Sequence, residues 1–91
     1  GEMVLMDGAP DLENYTSDIG RMWPVSGTFT AEQRSLYGYM VAYHRTLLGL
    51  LRPGVSAQQV TQEAAEAIAP VHATWTFPSE AHREAAARCL T

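Results

Sequence analysis

Apolar residues from Met3 to Met6 form a short unbroken run, and the turn formers Gly8, Pro10 and Asp11 follow directly. A run that short, bounded by turn residues, predicts a buried strand. From Glu13 to Val25 the chain is rich in Tyr, Thr, Ile, Trp and Val, which predicts a second strand running on to Pro24, with a turn at Gly27. The period then changes. Thr-Ala-Glu-Gln at 30–33 has the spacing of a capping box, in which the Thr30 hydroxyl and the Gln33 side chain satisfy free backbone N–H groups. Leu36, Tyr37, Met40, Val41, His44, Leu47, Leu48 and Leu51 recur at three- and four-residue spacing, one apolar stripe on a long helix. Arg52-Pro53-Gly54 stops it. Ser-Ala-Gln-Gln at 56–59 opens a second helix with Val60, Ala64, Ala67 and Ile68 on one side, and Pro70 is expected to end it. Residues 72–77 read as an irregular connector, and Pro78-Ser79 begins a third helix over roughly 80–90. The fold class is therefore α+β: a β-hairpin followed by a long helix and two shorter helices.

Ninety-one residues make one domain at most, with a modest core. A lone two-stranded hairpin is marginal in water, so the pattern predicts a part of something larger. The net charge is −4 and the six arginines are scattered, which argues against a nucleic-acid surface. No apolar run approaches the roughly 20 residues that span a membrane. The opening residues lack a basic region and a cleavage-like segment, so a cytoplasmic location is expected. Asn14-Tyr15-Thr16 fits a glycosylation pattern by chance. The single cysteine, Cys89, excludes an internal disulfide and a paired-cysteine metal site; in its alanine-rich, helical segment a packed thiol is expected.

Two carboxylates stand out because each closes an apolar or β-prone run: Asp7 and Asp18. An ionised carboxylate is costly to bury alone, so each must be paired, metal-bound or exposed. On a helix the two would lie about 16 Å apart, at 1.5 Å per residue, too far for one site. On a hairpin folded about a loop near residues 11–14 they fall on adjacent strands, with Cβ atoms about 5 Å apart. Such a pair can share a proton, or hold two metal ions about 3.5–4 Å apart. Hard oxygen donors suit Mn²⁺, Mg²⁺ or Zn²⁺. The plainer alternative is that Asp18 bonds a turn and Asp7 is solvated beside Gly8.

Residues 4–56 carry a specific resemblance. After Asp7 come Tyr15, Asp18-Ile19, Arg21, Trp23-Pro24-Val25, Gly27, Phe29-Thr30, Gln33-Arg34 and Leu36-Tyr37, and then a helix ending Arg52-Pro53-Gly54. This stretch resembles the catalytic domain of Xaa-Pro aminopeptidases (aminopeptidase P) and prolidases, the pita-bread metallopeptidases with a creatinase/aminopeptidase-like fold. Residues 77–90 resemble the stretch before that family's histidine motif. The resemblance implies that the chain is the N-terminal half of a pita-bread catalytic domain, incomplete over 1–91. It implies that Asp7 and Asp18 are two of five ligands to two divalent metal ions, commonly Mn²⁺, with Zn²⁺ or Mg²⁺ as alternatives. Asp7 would bind one metal and Asp18 bridge both. The parent enzyme would hydrolyse the bond between an N-terminal residue and a following proline. One departure is Gly20, where the family usually has threonine, which removes a supporting hydrogen bond near the ligands. Tyr15 and Arg21 match motif positions and are expected to orient the hairpin.

The family completes its site with one histidine and two glutamates beyond the matched region, and the chain has no counterpart of these. His44 lies on the apolar stripe, His72 in the connector and His82 in the first turn of the last helix; none is expected to be a ligand. Glu63, Glu66, Glu80 and Glu84 read as solvated helix faces. Two ligands make a weak site, so the isolated chain is expected to be inert. The alternatives are a prolidase acting on Xaa-Pro dipeptides, or a non-catalytic pita-bread module used for protein binding. Retention of both aspartates argues against the latter. Uncovered strand edges predict self-association.

Overall fold

A computed structural model describes residues 1–88 as two compact units, the first Gly1–Gln33 and the second beginning at Arg34. Cys89 and the end of the predicted third helix lie outside the described residues.

The first unit is a hairpin. Strand β1 (Met3–Gly8) pairs antiparallel with β4 (Ile19–Pro24), with Met3 opposite Pro24, Leu5 opposite Met22 and Asp7 opposite Gly20. Two short strands, β2 (Asp11–Leu12) and β3 (Tyr15–Thr16), pair beyond them, Leu12 opposite Tyr15. The second strand expected over 13–25 is thus divided at Ser17-Asp18. Both pairings keep one register, so the whole segment turns about Glu13-Asn14. These two residues have φ of 52° and 71°, the doubly left-handed backbone of a type I′ turn, whose twist matches that of the strands. Asp11 Oδ1 accepts the Asn14 N–H at 3.1 Å and steadies the turn. At the gap, Ser17 N–H donates to the Pro10 carbonyl at 3.1 Å and the Ser17 hydroxyl at 3.0 Å. The unit closes with the predicted capping box: Thr30 N–H donates to Gln33 Oε1 at 2.9 Å, and Gln33 N–H to Thr30 Oγ1 at 3.1 Å.

That box starts α1 (Ala31–Leu50); α2 (Ala57–Thr74) and α3 (Glu80–Ala87) follow. Ser56 caps α2 and Ser79 caps α3. The Arg52 side chain bonds the Leu50 carbonyl at 2.9 Å, and Gly54, at φ 85°, turns the chain away. The core of the second unit is Tyr39, Ile68 and Ala86, surrounded by Ala42, Tyr43, Val71, Trp75 and Phe77. The Tyr39 ring meets His72, Trp75 and Phe77 edge-on, with centroids 5.9, 6.0 and 5.3 Å away, an arrangement the ring quadrupoles favour. The buried side of α1 therefore runs through Tyr39, Ala42 and Tyr43, beside the apolar stripe read from the sequence. Met40, His44, Leu48 and Leu51 on that stripe are exposed. Gly38 lets Trp75 lie close: a Cβ there would stand 3.3 Å from its ring. Trp75 Nε1–H donates to the Ser35 carbonyl, and the Ser35 hydroxyl to the Thr76 carbonyl.

Pro70 does not end α2. The helix runs one turn further, to Thr74, because that turn delivers Val71 and His72 to the core, and tertiary packing outweighs the lost hydrogen bond. His72 is therefore helical rather than part of a connector, and its Nε2 lies 3.1 Å from the Arg83 carbonyl. Arg83 in turn fastens the end of α2, donating to the His72 carbonyl at 3.0 Å and the Trp75 carbonyl at 2.9 Å, with its guanidinium over the Phe77 ring. Glu63 is not simply solvated: Arg52 grips both its oxygens at 3.0 Å. Ala67 is exposed, while Val60, Ala64 and Ile68 are buried as expected. Among the described residues no helix is long and apolar enough to cross a membrane.

Two outcomes follow from this packing. Ile68→Ala empties a fully buried position and should cost about 2–5 kcal/mol in urea unfolding. The Arg52 guanidinium beside Glu63 holds its carboxyl below the usual carboxylate range, so the pair's contribution is present above that range and fades as acid protonates Glu63. In an NMR titration Glu63 should protonate at lower pH in the native chain than in Arg52→Ala, which removes the guanidinium beside it.

Candidate metal centre

The hydrogen-bond ladder decides what each carboxylate can reach. Val25 N–H donates to the Glu2 carbonyl at 3.0 Å, and Ser17 N–H to the Pro10 carbonyl. Bonded and non-bonded pairs alternate along an antiparallel ribbon. Val4–Trp23, Met6–Arg21 and Gly8–Ile19 are therefore bonded pairs, while Met3–Pro24, Leu5–Met22 and Asp7–Gly20 are not. At a non-bonded pair the Cα atoms come within about 4.5 Å and the side chains leave on the same face. Asp7 thus shares its face with Met3, Leu5, Met22 and Gly20.

Asp18 lies just before β4, two residues before Gly20, and the register puts it opposite Ala9. Residues two apart share a face of a strand, so Asp18 falls on the face of Asp7. The two aspartates are diagonal neighbours, about 7–8 Å apart at Cα. This corrects the directly opposed placement expected from the sequence. The expected loop at 11–14 was centred too early: the turn sits at Glu13-Asn14, and moving its centre by one residue moves every partner by two.

Both carboxylates are exposed, and no hydrogen bond or ion pair holds either among the described residues. The turn is stabilised by Asp11 instead of Asp18. Asp7 and Asp18 are thus uncommitted oxygen donors on one face, a donor set that suits a hard divalent cation. No third acid, histidine or cysteine joins them, since no group of three or more such residues capable of holding a metal ion forms among the described residues. His44 is exposed on α1; His82 sits in the first turn of α3, its Nδ1 2.6 Å from the Ser79 hydroxyl. Tyr15 is exposed beside the type I′ turn. Arg21 belongs to the opposite face of the ribbon, and its Nη1 donates to the Gly20 carbonyl at 2.7 Å.

Gly20 itself was not singled out for its position. It stands directly across from Asp7, and a Cβ built on it would meet only the Met6 carbonyl oxygen, at an ordinary 3.7 Å. The carboxylate face has an open slot beside Asp7.

Comparison with known proteins identifies the class. The sequence profile of Metallopeptidase family M24 matches residues 1–89. The chain belongs to that family. It is 47% identical over 60 residues to Xaa-Pro aminopeptidase 3 of Mus musculus, covering 66% of this chain and 12% of the relative. It is 41% identical over 63 residues to the Xaa-Pro aminopeptidase of Escherichia coli, covering 69% and 14%. With the mitochondrial intermediate cleaving peptidase 55 of Arabidopsis thaliana it shares 32% identity over 66 residues, covering 72% and 13%. The chain thus spans only 12 to 14% of the length of these relatives. No solved structure matches it.

Because the slot is open and glycine is poor in strands, Gly20→Thr should stabilise the hairpin by about 0.5–1 kcal/mol. Thermal unfolding followed at Trp23 would show it; a lower midpoint would mean that the slot is closed.

Proposed function

We propose that this chain is part of the catalytic domain of a proline-directed aminopeptidase, and that Asp7 and Asp18 are ligands to its divalent metal ions, two per site. The observation that carries this reading is the pair of exposed, unpartnered carboxylates on one face of a hairpin, within a chain whose relatives are named Xaa-Pro aminopeptidases. The substrate would be a peptide with proline in second position. Mn²⁺ is the first candidate for the metal.

A bound divalent pair supplies Lewis acidity, polarising a carbonyl and acidifying bound water. The chain's own part is positional. The β1–β4 ladder fixes the backbone under Asp7, and the bonded Gly8–Ile19 pair anchors the chain beside Asp18. Among the described residues neither aspartate has to break a hydrogen bond or ion pair to bind a cation, and the neutral Gly20 opposite Asp7 adds no competing group. Two carboxylates alone cannot satisfy the six or more oxygens of a hard cation, so the isolated chain should bind weakly and show no peptidase activity. The hairpin's exposed apolar residues also favour self-association of the isolated chain.

Paramagnetic broadening by Mn²⁺ tests the ligand assignment without needing activity. Broadening should centre on Asp7 and Asp18, develop at about millimolar Mn²⁺, and weaken in Asp7→Asn and Asp18→Asn. Broadening centred on another acidic residue, with no response to these substitutions, would contradict the assignment.

A further inference from the structure

His72 and Arg83 are tied to each other twice. The His72 Nε2 lies 3.1 Å from the Arg83 carbonyl, and Arg83 Nη1 donates to the His72 carbonyl at 3.0 Å. A carbonyl can only accept, so Nε2 is the donor in the first of these. Each side chain thus bonds the other's backbone across the joint between α2 and α3. Arg83 Nη2 reaches further, to the Trp75 carbonyl at 2.9 Å, and the guanidinium lies over the Phe77 ring. One residue of α3 therefore holds the last turn of α2 and the connector together. The same segment meets α1 through the Trp75 Nε1–H on the Ser35 carbonyl, the Ser35 hydroxyl on the Thr76 carbonyl, and the rings around Tyr39.

The start of this segment is a weak place in the backbone. Pro70 has no N–H, so the Glu66 carbonyl cannot receive its ordinary helical bond. The ladder of α2 is interrupted one turn before its end at Thr74. Before Pro70, α2 is held independently, by buried Val60, Ala64 and Ile68 and by the Arg52–Glu63 pair.

We propose that residues 71–87 form one opening unit, hinged at Pro70 and latched by Arg83. The last turn of α2, the connector and α3 release and close together, while α1 and α2 up to Ile68 remain folded. Local opening follows boundaries that few bonds cross, and here the boundary falls on a missing ladder bond. The reciprocal His72–Arg83 bonds keep either half from leaving alone. Lifting α3 strips two carbonyls at the end of α2 of their donor; unwinding that end removes the partners of Arg83. Closure covers Tyr39 and Ile68, which favours the latched form. None of this depends on the metal assignment.

Native-state hydrogen exchange of the 91-residue chain, read by NMR, tests the proposal. Amides of residues 71–74 bond back across the proline to residues 67–70 and report the turn, and those of 84–87 report α3. The two groups should share one protection factor, below that of residues 62–68. Arg83→Lys keeps the charge but cannot span two carbonyls. It should lower protection in both groups together, about tenfold or more, and leave residues 62–68 unchanged. Pro70→Ala supplies the missing N–H and should raise protection in both groups. A loss confined to residues 84–87 would mean that α3 frays by itself, and an equal loss throughout the second unit would mean that it unfolds all at once. Either result, or no loss in Arg83→Lys, would overturn the proposal.

Discussion

The pairing of β1 with β4 is the constraint on which the first unit depends. One register, set by a two-residue turn with both residues in the left-handed region, decides which side chains share a face and which backbone groups face outward. Shifted by one residue, the Asp7 side chain would lie on the face of Arg21. In the observed register, Asp7, Asp18 and Gly20 share a face, while Arg21 leaves on the other and turns to the edge. The cation is thereby kept off the carboxylate face, where it would compete with a metal ion.

The second unit is organised by a single side chain. Tyr39 is fully buried and is met by rings from the end of α2 and from the connector. Arg83 holds the carbonyls at the same place, so the turn after Pro70 is bound from two sides. This explains how a helix survives an internal proline: the lost backbone bond is offset by aromatic and apolar burial beyond it.

Much of this was legible in the residues. The Thr30–Gln33 box, the Ser56 and Ser79 caps and the Arg52-Pro53-Gly54 stop are local chemistry, and each appears where its spacing placed it. The hairpin was legible too, as was the family. What failed depended on distant partners. Tyr39 is polar enough to be passed over beside leucines, yet it is the residue the rings of His72, Trp75 and Phe77 enclose. Pro70 obeys its local rule only where nothing beyond it is buried. For the aspartates, Glu13 in a left-handed conformation is an uncommon choice for a turn, so the turn centre, and with it the partner of Asp7, was misplaced.

The most direct test of the account is whether Asp7 and Gly20 face one another. At a non-bonded antiparallel pair the Hα atoms come close enough for a strong cross-strand nuclear Overhauser effect. The account predicts strong Hα–Hα effects for Asp7–Gly20 and Leu5–Met22 and none for Met6–Arg21. A strong Met6–Arg21 effect, or one from Asp7 directly to Asp18, would contradict the register and with it the shared carboxylate face.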